Sequence, residues 1–360
     1  MNSQSAFERV LGISWIPGDD VFCFTINLQG DLESEVAPTK RTMLSFVMKI
    51  YDPLGLVGSL VIQGKILLQD VWRAKMDWDE QISEDLFSRW KLWLQMLKEL
   101  NNVRIPRSYF RGYDPTCFDT LELHVFVDGS AQAYSSAAYF RVRDRGQIRC
   151  ALVASKTKVA PLQLVSVPRL ELQAAVIGAR LRKTIEDGHS IKVTRTYFWS
   201  DSSTVVSWIK SDTRRYRQYV AFRVNEILSL SKTEEWRWLG TKINVADEAT
   251  KWGKGPNCNS DSRWMRGPAF LYEEKNSWPK DKFVMIEETP EELRPAYVCS
   301  HFLSVPMVDN SRFSKYERLL RSMAHAYRYC NRPLQRIGRR PSEDARSISG
   351  EDLRKGVSGG

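Results

Sequence analysis

The order of predicted strands and helices between residues 121 and 252 constrains the fold more than any other feature of this chain. Three successive segments predict strands, because apolar side chains alternate along them between breaks rich in Gly, Asp or Ser: LELHVFV, YSSAAYFRV and IRCALVAS. After them the sequence predicts a helix over 169–184, a strand at VTRTYFW, helices over 202–210 and 217–230, a strand at EWRWL and a short helix. This order indicates a mixed α/β unit that begins with an antiparallel meander.

The segments on either side have other patterns. Two short strands around Pro17-Gly18-Asp19-Asp20 predict a hairpin within 10–27, and helical spacing predicts helices over 41–51, capped by Thr39, over 60–75 and over 83–101. The predicted units are a hairpin segment at 1–36, a helical segment at 37–118, the α/β domain at 119–254, a loosely structured connector at 255–310, an amphipathic helix at 311–331 and a disordered basic tail at 332–360.

Composition favours an intracellular protein with a polyanionic partner. The 360 residues carry a formal charge of +10, and clustered Lys and Arg bind phosphates by releasing counterions. The six cysteines are scattered without metal-ligand spacing, which indicates reduced thiols. No signal peptide or membrane-spanning segment is evident in the sequence. We therefore expect no membrane partner, and a location in a cytoplasmic particle or the nucleus, which the sequence does not distinguish.

Four acidic residues of the α/β unit lie at positions where catalytic residues are often found. Asp128 directly follows the first strand, Asp201 follows the strand YFW, Asp247 follows EWRWL, and Glu171 borders the apolar stripe of the first helix. Each has an ordinary explanation when taken alone, as a turn former, a helix cap or part of a solvated helix face. Together they repel one another unless divalent cations neutralise them, and a site of oxygen ligands alone indicates Mg²⁺ or Mn²⁺.

The Asp-Glu-Asp-Asp order resembles the ribonuclease H family. The matching pieces are FVDGS, RLELQAA, WSDSS and NVADEAT. The resemblance implies a five-stranded mixed sheet flanked by helices, and a nuclease that hydrolyses the RNA strand of an RNA–DNA hybrid. It also implies that Asp128, Glu171, Asp201 and Asp247 are the catalytic and metal-binding residues of a site for two ions. Asp128 would bridge both ions, Glu171 and Asp201 would complete one position, and Asp247 the other.

A second resemblance covers about residues 8–330. KIYDPLGLVGSLVIQGKILLQDVW looks like the segment before the nuclease in Bel/Pao retrotransposon polyproteins, VLGISW resembles the end of their reverse transcriptase, and RFSKYERLLRSMAHAYRY resembles the start of the pre-integrase region. The helical segment at 37–118 would then be thumb- or connection-like. No Tyr-x-Asp-Asp motif and no zinc-binding integrase pattern is present. We expect a polyprotein fragment or a gene remnant without polymerase activity, whose partners are the hybrid and the remaining Pol domains.

Recognition of a hybrid depends on backbone and minor-groove contacts rather than on base reading. The basic residues that we expect to contact phosphates are Lys156, Lys158, Arg169, Arg214, Arg215 and Arg217. Many ribonucleases H also have a histidine in the loop before the last acid, and the loop at 240–243 has none. Slow turnover is therefore expected.

Three other functions remain open on the sequence. One is an aspartic peptidase, a label that this polyprotein region has sometimes carried. Such enzymes use Asp-Thr/Ser-Gly, whereas this chain has Asp128-Gly129-Ser130 and Asp201-Ser202-Ser203. Another is a non-catalytic nucleic-acid-binding or assembly module. The third is an integrase or transposase core, which the acid order disfavours because such cores use Asp-Asp-Glu.

Overall fold

Four short antiparallel strands form a small sheet at the start of the chain. The computed structural model describes residues 8–10, 13–26, 35–112, 118, 120–251, 257–281, 289–294 and 314–336. The strands are β1 (Glu8–Val10), β2 (Ile13–Ile16), β3 (Val21–Cys23) and β4 (Arg104–Pro106), in the order β1-β2-β3-β4. The predicted hairpin is present as β2 and β3. A two-stranded hairpin is barely stable alone, and β4 extends it after the helical segment.

Three helices follow, close to the predicted positions. They are α1 (Lys40–Lys49), α2 (Gly58–Arg73) and α3 (Glu84–Lys98). Thr39 caps α1 with a reciprocal pair of bonds to Thr42, as its sequence position predicted. Both carboxylate oxygens of Asp52 accept backbone N–H groups at 2.9 Å, from Leu56 and Val57, where the chain turns into α2.

The central sheet has five strands in mixed orientation. They are β5 (Thr120–Gly129), β6 (Ala133–Asp144), β7 (Gln147–Val159), β8 (Arg195–Ser200) and β9 (Trp236–Trp238), in the spatial order β7-β6-β5-β8-β9. The first three form the antiparallel meander that the sequence predicted, and β8 and β9 add in parallel to β5. The predicted five-stranded mixed sheet flanked by helices is confirmed.

One face of the sheet is covered by α4 (Val167–Gly188), α5 (Ser203–Lys210) and α6 (Gln218–Leu230). Side chains alternate between the two faces along a strand, so Leu123, Val125 and Val127 of β5 all reach this layer. They are fully buried or nearly so, and they share a core with α4 and α6.

The other face is covered by α1–α3 and by residues 257–281, here called the strap. Phe126, Tyr139 and Trp199 of the sheet share one core with the three helices. The strap lies in the predicted connector, yet it forms α8 (Arg263–Arg266) and two 3-10 turns, and Trp264 is fully buried. Segments 37–118 and 119–254 therefore share one core, and the boundary drawn between them from the sequence stays a prediction.

Two further helices complete the described chain. The short α7 (Asp247–Thr250) follows β9, and α9 (Tyr316–Arg336) belongs to a separate unit that begins after residue 295. Helix α9 contains most of the predicted amphipathic helix. Among the described residues no helix combines the length and the apolar character that a membrane crossing requires.

Candidate active site

Asp128 and Asp201 stand beside each other because β5 and β8 are parallel neighbours. In the register of this pair Val127 lies opposite Ser200, and the residue that follows each of them is an aspartate. Neighbouring strands lie about 4.8 Å apart. Asp128 is 4% exposed, and the main-chain carbonyl of Asp201 accepts a hydrogen bond of 2.9 Å from the Trp238 indole.

Asp247 reaches the same place through a loop that is tied to the sheet. The amide nitrogen of buried Asn244 donates to the carbonyl of Val127 and to Asp201 Oδ1, both at 3.0 Å. Ser135 of β6 donates to the Ala246 carbonyl at 2.9 Å. These bonds fix the start of α7, whose first residue is Asp247.

Oxygens of these three carboxylates lie within 4.8 Å of one another. Thr250 donates a short hydrogen bond to Asp128 Oδ2, and the Lys251 ammonium lies 2.8 Å from Asp247 Oδ2. The other oxygen of Asp247, Oδ1, is buried and has no hydrogen-bond partner among the described residues. Such a group is costly to bury unless a cation or a donor satisfies it.

Glu171 lies beside this group and is not one of its three members. Ser202, the residue after Asp201, donates to Glu171 Oε2 at 2.6 Å. The first turn of α4 packs directly on Gly129: an added Cβ there would lie 2.5 Å from the Glu171 nitrogen. The glycine after Asp128 therefore lets the helix that carries Glu171 approach the strand that carries Asp128.

Burial and mutual repulsion raise the pKa of three of these acids. Burial, then the charges of Asp247 and Asp201, raise the pKa of Asp128 to about 8, although the Thr250 hydrogen bond and Lys251 act in the opposite direction. Burial also raises the pKa of Asp247, again opposed by Lys251. The pKa of Glu171 rises to about 7, mainly through burial. Raised pKa values show that the negative charge of these acids is disfavoured, and a bound cation would compensate that charge.

The basic residues expected to bind phosphates fall into two places. Lys156 and Lys158 are exposed on β7, and Lys158 stands opposite Tyr134, which itself stands opposite Gly129. These lysines therefore lie at the acidic end of the sheet, two strands from Asp128.

The four arginines have partners in the chain or lie beside residues 289–294. Arg169 donates to both oxygens of Glu292, at 2.5 and 3.1 Å, and Arg217 donates to the Leu293 carbonyl at 3.1 Å. The main-chain carbonyl of exposed Arg215 accepts from Arg294, and Arg214 pairs with Asp212 at 2.8 Å.

Sequence reasoning did not single out Asn244, Thr250 or Lys251. Thr250 and Lys251 follow Asp247 by three and four residues, a spacing that places side chains on one side of a helical turn. That spacing within NVADEATK was the available signal. The side-chain oxygen of Asn244 accepts locally from the Ala246 N–H, but its amide nitrogen donates to residues 43 and 117 positions away, a role that local spacing does not show.

A family model matches the chain over residues 39–202 and is described as the Pao retrotransposon-like RNaseH-like domain. The resemblance stated from the sequence is confirmed. The match begins at the cap of α1 and ends at Ser202, so it takes in the helices α1–α3 as well as Asp128, Glu171 and Asp201. None of the curated proteins compared with the chain matches it.

Solved ribonucleases H are similar over about a third of the chain. The N-terminal RNase H domain of Rv2228c from Mycobacterium tuberculosis is 13% identical over 36% of this chain and 91% of its own, with a TM-score of 0.28. LC11-RNase H1, solved with an RNA/DNA hybrid, is 10% identical over 36% and 93%, with a TM-score of 0.26. RNase H1 from Halobacterium salinarum is 14% identical over 36% and 96%, with a TM-score of 0.23.

Proposed function

We propose that the chain is a metal-dependent endonuclease that hydrolyses the RNA strand of RNA–DNA hybrids. The observation that carries the proposal is the meeting of Asp128, Asp201 and Asp247, whose carboxylate oxygens lie within 4.8 Å of one another. Carboxylates at such distances repel, and a divalent cation removes the repulsion. Glu171 beside them supplies the fourth acid of the predicted set.

The residues fit a magnesium or manganese site. All the donors are carboxylate oxygens, the ligand type that these ions prefer, and no described residue bonds to the buried Asp247 Oδ1. In the proposed site Asp128, Asp201 and Asp247 hold the ions, with Glu171 as a further ligand. Bound there, such ions lower the pKa of water and stabilise charge on a phosphate. The proposed number of ions is two.

The surrounding side chains orient the acids. Asn244 holds one oxygen of Asp201, Thr250 holds one oxygen of Asp128, and Ser202 holds one oxygen of Glu171. Because these contacts fix the carboxylates before substrate arrives, the ligands need little reorganisation when a scissile phosphate enters.

Binding of the hybrid is proposed to use its sugar–phosphate backbone. Lys156 and Lys158 are exposed at the acidic end of the sheet, where they suit phosphates on either side of the cleaved bond. Arg169, Arg214, Arg215 and Arg217 belong to the same proposal, although Arg169 and Arg217 must first release residues 289–294. Other domains of a retrotransposon Pol polyprotein are the proposed protein partners.

Cleavage of a labelled hybrid tests this function. The full chain is incubated with an RNA–DNA hybrid whose RNA strand is end-labelled, in magnesium and in chelator, beside matched double-stranded RNA and DNA. We expect cuts in the RNA strand of the hybrid alone, only with magnesium, and none from Asp201→Asn. That variant keeps the size and the Asn244 partner of the side chain but removes its charge.

Two results would favour a rival function over the nuclease. Cleavage of a peptide substrate that continues in chelator would favour the aspartic peptidase, whose paired aspartates need no metal. Hybrid binding without any cut in magnesium, equal for the native chain and Asp201→Asn, would favour the non-catalytic binding module.

A further inference from the structure

Lys251 is the only lysine in an ion pair with one of the three clustered aspartates among the described residues. It follows the last residue of α7, and its side chain turns back over that helical turn to reach Asp247 Oδ2 at 2.8 Å. The lysine side chain is 48% exposed and the aspartate side chain is 18% exposed. The ammonium therefore enters the acidic group from the solvent side.

This contact satisfies only half of the Asp247 carboxylate. Oδ2 faces Lys251, while Oδ1 is buried and receives no hydrogen bond from the part of the chain that the structure describes. Asp128 differs, because Thr250 already donates to one of its oxygens, and Asp201 has the Asn244 amide. Asp247 is thus the acid whose charge is balanced by an ammonium instead of by neutral donors.

We propose that Lys251 is a tethered counter-cation, which occupies the Asp247 side of the acidic group in the metal-free protein and must leave before a divalent ion binds there. The inference rests on the proposed function, because the same carboxylates serve as metal ligands. It adds a regulatory element: the two ion positions have unequal affinity, and the position at Asp247 is the weaker one.

The chemistry of lysine suits this behaviour. Its ammonium sits on a flexible four-carbon stem and carries no rigid hydrogen-bonding fork, so it can leave the carboxylate without moving the backbone. An ammonium that remained in place would repel a divalent ion. Once displaced, the half-exposed Lys251 side chain places its ammonium in solvent.

Manganese titration of the full chain tests the proposal without substrate. Bound Mn²⁺ is counted from the loss of the free-ion signal in electron paramagnetic resonance, for the native chain, Lys251→Met and Lys251→Arg. We expect one tight and one weak site in the native chain. Lys251→Met should strengthen the weak site by about tenfold, the effect that a charge within a few ångströms has on proton binding by a carboxylate. Lys251→Arg keeps the charge and adds a rigid fork that suits a carboxylate, so its weak site should be no stronger than that of the native chain.

Thermal unfolding in chelator supplies a second readout. Lys251→Met should melt at a lower temperature than the native chain, since it leaves the acids without their counter-cation, and manganese should close the difference. Lys192→Met removes the same charge before β8, at the opposite end of that strand from Asp201, and should leave both measurements unchanged.

The outcomes separate the two proposals. The counter-cation proposal is wrong if the two sites have equal affinity in the native chain, or if Lys251→Met binds manganese with the native affinities or more weakly. In either case the nuclease proposal stands. If no variant binds more manganese than Asp201→Asn, the metal site itself is wrong and the proposed function fails with it.

Discussion

At the scale of the residue, Gly129 controls how closely Glu171 approaches Asp128. A methyl group at this position would lie 2.5 Å from the Glu171 nitrogen and 2.8 Å from its Cα atom, which are both backbone atoms. In Gly129→Ala the first turn of α4 must therefore move. We expect a loss of about 1–3 kcal/mol in unfolding free energy, typical of overpacking, and a fall in hybrid cleavage of about a hundredfold, typical of an ångström-scale misplacement.

Urea unfolding and the cleavage assay measure these effects. Gly188→Ala, at the end of the same helix, is the matched control, because a Cβ there meets no atom of the described residues within 4 Å. It should keep both native values. Native cleavage by Gly129→Ala would mean that the position of Glu171 is not required.

The sequence predicted the residues whose setting is local. Asp128 and Asp201 each follow an apolar strand, and that pattern alone indicated their place at a strand end. Asn244 escaped prediction because its role depends on Val127 and Asp201, which come near it only after β5 and β8 have paired. Local patterns give the place of an acid but not its hydrogen-bond partners.

At the scale of the element, the strap is a segment whose structure the periodicity of the sequence did not predict. The strap lies within residues 255–310, which are rich in Gly, Pro, Asn and Ser and predicted a loosely structured connector. In the structure α8 and two 3-10 turns are too short to show a period, yet Trp264, Phe270, Leu271 and Trp278 are buried against the sheet.

Trp264→Ala tests whether the strap is part of the core. The indole is fully buried, and its nitrogen donates to the Leu56 carbonyl at 2.8 Å, at the start of the α2 region. Truncation should lower the unfolding free energy by about 3–5 kcal/mol, as for other buried Trp residues. Denaturant unfolding measures it. Tyr272→Ala, which truncates a strap aromatic that is 39% exposed, should cost clearly less. Equal, small losses would mean that the strap is a connector after all.

At the scale of the whole molecule, the five-stranded sheet lies between two layers. Helices α4–α6 form one layer, and α1–α3 with the strap form the other. The sequence predicted the five strands of this sheet and most helices, because each has its own period. It did not predict that α1–α3 share a core with Phe126, Tyr139 and Trp199. An apolar stripe shows that a helix packs, but not on which surface. The family match, which begins at residue 39, agrees with this shared core.

That enclosed face buries a titratable pair, His124 and Glu122. The Trp199 indole can only donate a hydrogen bond, and it does so to His124 Nδ1 at 3.1 Å, so this nitrogen carries no proton. The fully buried ring is thus neutral, and Nε2 lies 3.6 Å from Glu122 Oε2. Arg141, at 2.8 Å, and Lys275, at 2.6 Å, balance the charge of Glu122.

Acid should therefore destabilise the fold through His124. Burial lowers the pKa of His124 from 6.5 to about 4, so the unfolded chain gains a proton on this ring at a higher pH than the folded chain. The contribution of the neutral ring is complete above pH 6.5 and is lost as the pH falls toward 4, by about 3 kcal/mol in unfolding free energy.

His124→Gln isolates this contribution from the other titrating groups. Glutamine offers an oxygen to Trp199 and an amide toward Glu122, but it does not titrate. Unfolding in urea at pH 7 and pH 4 gives the difference in stability between the native chain and the variant at each pH. That difference should move by about 3 kcal/mol in favour of the variant at pH 4, because only the native chain has an imidazole to protonate. A difference independent of pH would mean that His124 titrates alike in both states, and that the Trp199 hydrogen bond does not hold the ring neutral.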